Sequence, residues 1–279
     1  MHLSQQHSGP IGVFDSGYGG LTILNEFRRQ LPQYDYIYLG DNARAPYGSR
    51  SFDVVYEFTL QAVTKLFEMG CQLVILGCNT ASAKALRSIQ QNNLPRLAPD
   101  RRVLGVIIPT AEAIGQMTHN LHIGLLATEG TIISQSYEIE LHKLYPDIKV
   151  TSVACPMWVH LVENNQMNTP GADYFVKFRL DQLMQSDPEI DTIILGCTHY
   201  PLLLPLIERH VDSHIRLVSQ GPYVAKSLQS YLLRHPEMEQ RCSRGGACSF
   251  FTTENPEKFQ DNASIFMKES ITAQHLVLE

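Results

Sequence analysis

The stretches VILGCNT at 74–80 and IILGCT at 193–198 decide the fold. Each is a short unbroken apolar run that ends in glycine, cysteine and a hydroxyl or amide residue, then gives way to helical periodicity. A run of that length with a turn signal at its end reads as a buried strand feeding a helix. The two copies read as an internal repeat, separated by enough chain for one domain. Two duplicated halves facing each other would set Cys78 and Cys197 in opposition.

The same grammar recurs on either side of both stretches. IGVFDSGYGG at 11–20 leads into LTILNEFRRQL, and the pattern returns in YDYIYLGDNARAPYG from 34, RRVLGVIIPTAEAI from 101, LHIGLLATEGTIISQSYEIELHKL from 121 and IKVTSVACPMW from 148. Strands alternating with helices imply parallel sheet. The fold class expected is therefore α/β, with two similar parallel-sheet domains related by a pseudo-two-fold and a site between them. We place the first domain at 1–107 plus 216–279 and the second at 108–215. The stretch RHPEMEQRCSRGGACS at 234–249 is polar and contains glycine, so it reads as a surface loop.

A chain of 279 residues with 44% hydrophobic and 18% charged residues has ample material for such cores. Its net charge of -6 and scattered Lys and Arg exclude the basic stripe that neutralises a phosphate backbone, so nucleic acid is not the expected partner. The opening MHLSQQHSGP has no apolar core of a leader, and no run approaches the ~18 apolar residues of a membrane span, so a cytoplasmic protein without membrane contact is expected. The six cysteines include no CxxC pair, and in a reducing compartment they read as free thiols.

Position separates those thiols. Cys71, Cys155, Cys242 and Cys248 read as small buried packing residues. Cys78 and Cys197 each stand at a strand-to-helix turn, where ligands gather in open α/β sheets and where the helix dipole favours thiolate. Two opposed thiols suit one reaction type, in which one removes a proton from carbon and the other supplies one on the opposite face. Asp15 is placed to orient or deprotonate one cysteine, and His199 or Glu163 to serve the other. The loop DSGYGG at 15–20 lacks the Lys-Ser/Thr of a nucleotide cradle and the spacing of a dinucleotide fingerprint, so a small amino acid is the preferred ligand. Asn79, Thr80 and Thr198 can donate to its carboxylate. His210 with His214, and His119 with His122, lack further ligands at metal spacing, and no metal site is expected.

Taken together, DSGYGGL at 15–21, LGDNARAPYG at 39–48, LGCNTA at 76–81 and LGCTHYPLL at 195–203 resemble the glutamate racemases, within the wider aspartate/glutamate racemase group. ATEGTI at 127–132, ACPMWVHLVE at 154–163 and FFTTENPEKF at 250–259 carry the resemblance over nearly the whole chain. It implies two α/β domains with the site between them, racemisation of glutamate that supplies D-glutamate for peptidoglycan, no pyridoxal phosphate or other cofactor, and a homodimer as one assembly the family uses. Carried over by position, Cys78 and Cys197 are the acid/base pair, assisted by Asp15, Glu163 and His199. Substrate contacts are implied at Asp15, Ser16, Pro46, Tyr47, Gly48, Asn79, Thr80, Thr128, Thr131 and Thr198. The chain departs from the usual pattern at IIPT, 107–110, where an acidic residue and Pro-Gly are commoner, and at VSQG, 218–221, where Asp-Ser-Gly is common. Those departures bear on hinge and interface behaviour rather than on chemistry.

Other readings stay open at this point: the same two-thiol chemistry on aspartate or another amino acid, a binding or regulatory protein that keeps the fold, and a redox protein joining Cys78 to Cys197 as a disulfide.

Overall fold

The computed structural model describes residues 8–279; the opening MHLSQQH, on which most of the leader reading rests, lies outside the described residues. The strands are β1 (Ile11–Asp15), β2 (Tyr36–Gly40), β3 (Leu73–Leu76), β4 (Arg102–Gly105), β5 (His122–Ala127), β6 (Lys149–Ala154), β7 (Thr192–Gly196), β8 (Arg216–Val218), β9 (Cys248–Thr252) and β10 (Ala273–His275). The helices used below are α1 (Leu21–Gln30), α2 (Phe52–Glu68), α3 (Asn79–Lys84), α4 (Ile107–Ile114), α5 (Glu129–Ser134), α6 (Ser136–Leu144), α7 (Pro156–Glu163), α8 (Pro170–Ser186), α9 (Gly221–Arg234) and α10 (Pro256–Met267).

The described strands form two sheets, ordered β10-β9-β2-β1-β3-β4 and β6-β5-β7-β8, and neighbouring strands in both run parallel. The run β2-β1-β3-β4 and the run β6-β5-β7-β8 have the same order, so β7 occupies in its sheet the place that β3 occupies in the other. Phe14 faces Leu76 across β1 and β3, and Leu126 faces Leu195 across β5 and β7. The repeat read in the sequence is thus a repeat of topology. Strands β1, β3 and β7 are buried along their whole length, as central strands covered by helices on both faces must be. That is why they read as unbroken apolar runs.

The chain passes between the sheets twice, once between β4 and α4 and once between β8 and α9. The second passage corrects the division of the chain at 216. Arg216–Val218 pairs with β7 and belongs to the second sheet, so the return comes after Val218. A strand of three residues with no alternation gave no signal of which sheet it would join. After it, α9 packs on α1, and β9 and β10 extend the first sheet beyond β2.

The 234–249 stretch is also more ordered than a surface loop. Pro236–Glu239 is helical, Met238 and Cys242 are buried, and bridges join Gly9 to Cys242 and Tyr34 to Arg244. Its Ser243 hydroxyl and Ala247 N–H both donate to the Asp35 carboxylate, at 2.7 and 3.0 Å. Two apolar anchors and one acidic receptor tie the segment down. All six cysteines are free thiols, with Cys71, Cys155 and Cys242 buried as packing residues should be and Cys248 half-buried.

Candidate active site

One cavity lies where the carboxyl ends of the two sheets meet. The first domain lines it with Asp15, Ser16, the 45–49 loop, Cys78 and Thr80; the second lines it with Thr128, Glu129, Pro156, Val159, His160, Glu163, Cys197, Thr198 and His199. Cys78 follows β3 and Cys197 follows β7, so the matched strand order delivers one thiol to each side. Each is only 6% exposed, which leaves the sulfurs open to the cavity and to little else.

Cys78 caps α3: its sulfur accepts from the Ala81 N–H at 3.4 Å and lies 3.4 Å from the Ser16 hydroxyl. Even so, burial pushes the thiol up to about 12, and the nearby Asp15 carboxylate adds to the effect. This corrects the expectation that the helix terminus would favour thiolate here, because desolvation of the charged form outweighs the dipole. Cys78 rests as a thiol.

Cys197 has a different neighbour. Its sulfur lies 3.7 Å from His199 Nδ1, and His199 Nε2 lies 2.9 Å from Glu163 Oε1. Burial alone would lower the histidine's pKa, but its bonds to Cys197 and Glu163 prevail and raise it well above the ordinary imidazole range. Asp15, 1% exposed, accepts from the Gly17 N–H at 2.8 Å, while its Oδ2 is buried with no hydrogen-bond partner among the described residues. Burial raises its pKa against the opposing pull of His199.

The close approach of the halves depends on glycine. A Cβ on Gly19 would lie 2.2 Å from Thr198 Oγ1 and 2.5 Å from His199 Nδ1, so only glycine lets the 15–20 loop pass. On the far wall the Gly130 N–H donates to the Gly48 carbonyl at 2.8 Å, joining the 45–49 loop to α5. Hydroxyls of Thr80, Thr128 and Thr131 form a chain with steps of 2.9 and 3.0 Å.

Of the residues named from sequence, Asp15, Ser16, Pro46, Tyr47, Gly48, Cys78, Thr80, Thr128, Glu163, Cys197, Thr198 and His199 come together at this cavity. Asn79 and Thr131 do not line it. Thr131 stands behind Thr128, and the Asn79 side chain is engaged with Gln220 and Tyr137.

Three features were not read from sequence. Asp41, fully buried, accepts from Arg44 Nε at 2.7 Å, from the Thr253 hydroxyl at 2.8 Å and from the Tyr47 hydroxyl, and so holds the cavity loop in place. Its signal was present, an acid followed three residues later by Arg and then by Pro-Tyr, but its function is visible only once Thr253 arrives from β9's end. Glu129 and His160 face the cavity with no motif to announce them. Elsewhere His210 bonds to Asp173 at 2.9 Å, and His122 to Asp187 at 2.9 Å. His122, Asp187 and Glu189 lie close enough to share an ion, but Lys149 Nζ, 3.1 Å from Asp187, already supplies the positive charge.

Comparison with known proteins matches residues 21–227 to the Asp/Glu/Hydantoin racemase model. A glutamate racemase of Roseobacter denitrificans is 39% identical over 272 residues, covering 94% of this chain and 97% of that protein. Among solved structures, a glutamate racemase of Bacillus anthracis superimposes with a TM-score of 0.88 at 36% identity, covering 98% of this chain and 99% of the other. A glutamate racemase of Francisella tularensis, solved in complex with D-glutamate, gives 0.86 at 30% identity and 98% coverage of both chains. Among the described residues, no helix is long and apolar enough to cross a membrane.

Proposed function

The chain belongs to the Asp/Glu/Hydantoin racemase family, and from that premise we propose that it is a glutamate racemase working through Cys78 and Cys197 without a cofactor. The observation that carries the reading is the pair of thiols at equivalent strand ends, lining one cavity from opposite domains.

In one direction the Cys197 thiolate, facing the His199 cation, takes the α-proton, and the Cα–H electron pair stays on carbon, delocalised into the adjoining carboxyl group. The Cys78 thiol then delivers its proton to the opposite face, which inverts the centre. Thiol and thiolate have exchanged places, and the reverse passage or proton exchange with water resets them. Asp15 is placed to take the proton from Cys78 when that residue is the base, its bare Oδ2 being the free acceptor. His199, held by Glu163, supports charge on Cys197. The 45–49 loop, Thr80, Thr128 and Thr198 are assigned to the two carboxylates of the substrate.

We extend the reading to a cytoplasmic enzyme that acts on free glutamate, supplies D-glutamate for peptidoglycan and assembles as a homodimer. Among the described residues, its units are 8–107 with the chain after β8, and 108 to the end of β8.

The test follows optical rotation of L-glutamate and of D-glutamate with the reduced protein, without added pyridoxal phosphate or metal. Decay of both to zero supports the reading. Faster decay of aspartate overturns the substrate assignment, and no change in any amino acid overturns the catalytic one.

A further inference from the structure

Four polar side chains from four chain segments close on one another behind Cys78. Asn79 Nδ2 donates to Gln220 Oε1 at 2.7 Å; the Tyr137 hydroxyl donates to Asn79 Oδ1 at 2.7 Å; Gln220 Nε2 faces Asn79 Oδ1 and Thr110 Oγ1, each at 3.1 Å, and the Tyr137 oxygen. The Thr110 hydroxyl passes its own proton to the Val106 carbonyl at 2.8 Å. All four residues are buried, between 0 and 2% exposed, so none of these groups has water as an alternative partner.

Their origins give the cluster its meaning. Asn79 is the first residue of α3, adjacent to Cys78, and Tyr137 lies on α6 of the second domain. Thr110 sits just past the first passage between the sheets and Gln220 within the second. Both fall in the stretches where the sequence departs from the pattern it otherwise resembles. Residues of both crossings thus meet at a cluster hydrogen-bonded to the residue next to a thiol.

We propose that Gln220 is a positioning residue for the two-thiol reaction: through Asn79 it fixes Cys78 relative to the second domain, and so relative to Cys197. The inference rests on the glutamate racemase reading. Gln220 touches no reacting atom, because Asn79 stands between it and the cavity.

The consequence is specific to one thiol. When Cys197 has taken the α-proton and Cys78 is displaced, the carbanion waits. The Cys197 thiol can then exchange its proton with solvent and return it to the original face, so exchange occurs without inversion. Removal of the proton by Cys78 is slowed, but Cys197 still delivers from its proper place, and the exchange is not enhanced.

Gln220→Met keeps length and removes every side-chain hydrogen bond of this residue. In D2O, the variant is expected to lose about tenfold to a hundredfold in kcat, with KM moved less than about threefold. Deuterium should build up in unreacted substrate, relative to inverted product, for one starting enantiomer and not the other. Tyr137→Phe, which removes a single hydroxyl, should show the same asymmetry more weakly, and Thr110→Ser, which keeps the hydroxyl, should behave as wild type. The inference is overturned by wild-type kcat in Gln220→Met and Tyr137→Phe, or by an exchange-to-inversion ratio unchanged for both enantiomers while activity falls with the folded fraction. Wild-type protein inactive on every amino acid removes the functional reading as well; an active wild type with indifferent variants removes this inference alone.

Discussion

His199 Nδ1 stands 3.7 Å from the Cys197 sulfur, whereas Cys78 has beside it the Ser16 hydroxyl, the Ala81 N–H and the Asp15 carboxyl. Two strands equivalent in topology thus carry thiols with unlike neighbours. Burial first, and then the neighbouring Asp15 carboxylate, favour the acid form of Cys78. Since every turnover passes through both thiols, His199→Gln should lower kcat about a hundredfold for both enantiomers. Glu163→Gln keeps a hydrogen-bond acceptor for the ring but not the charge, and should cost about tenfold. A rotation assay showing His199→Gln at half of wild-type activity would remove the histidine from the mechanism.

The acid form of Cys78 can be seen by alkylation. In a Cys197→Ser background, iodoacetamide should label Cys78 slowly at pH 8, because a thiol with a pKa near 12 holds little thiolate there. Adding Asp15→Asn removes a neighbouring negative charge and should speed the labelling, read by mass spectrometry. Equal rates would mean that the carboxyl does not bear on the thiol.

Asp41 is the hub of the cavity loop, receiving Arg44, Tyr47 and Thr253. Asp41→Ala removes the carboxylate from a partly buried guanidinium that keeps only Gln61, and the acceptor from two hydroxyls, so denaturant unfolding should report a loss of about 3 kcal/mol. Tyr47→Phe removes one donor and should cost about 1 kcal/mol. In both, KM should rise more than kcat falls, since the loop is assigned to substrate binding and to no proton transfer. A fall confined to kcat would place the loop in the chemistry.

Gly19→Ala is a test of how tightly the domains meet. The added methyl would lie within 2.2 Å of Thr198 and 2.5 Å of His199, so one of them must shift. Overpacking of this kind typically costs about 1–3 kcal/mol, and here the displaced side chains line the cavity. Activity should fall a hundredfold or more while the far-ultraviolet circular dichroism stays unchanged. Retained activity would mean that the 15–20 loop yields freely.

What could be read from sequence follows a physical division. The end of β3 at Cys78 and the end of β7 at Cys197 were legible because an apolar run, a glycine and a helix start are neighbours along the chain. His199 was legible as short-range company of the β7 turn, and Asp15 as the last residue of its own strand, β1, before a glycine-rich loop. Gln220 was not, since its partners Asn79, Thr110 and Tyr137 are remote in sequence and a buried glutamine has no periodic signature. Strand β8 was assigned to the wrong half because three residues carry no pattern. The Cys78 thiol was misjudged for a third reason: helix position is written in sequence, whereas the depth of burial that overrides it depends on both domains closing over the site.

Asp15 gives a last prediction, on stability rather than rate. Burial raises its folded-state pKa above the ordinary aspartate value of 3.8, so folding favours its neutral form. Below that value both folded and unfolded chains carry the proton and the group contributes no penalty. As pH rises from there through the folded pKa, the unfolded chain ionises more readily, and stability is lost across that window. Asp15→Asn cannot ionise and has nearly the same shape. Its unfolding free energy relative to wild type should therefore rise from about pH 4 upward and stay high at neutral pH, measured by denaturant titration at each pH. A buried carboxyl with one oxygen unpartnered is then a site that folding alone disfavours and that substrate chemistry retains. Equal stability of the two proteins at pH 4 and pH 7.5 would mean that Asp15 is as well solvated in the fold as outside it, and its assignment as the proton acceptor beside Cys78 would lose its physical basis.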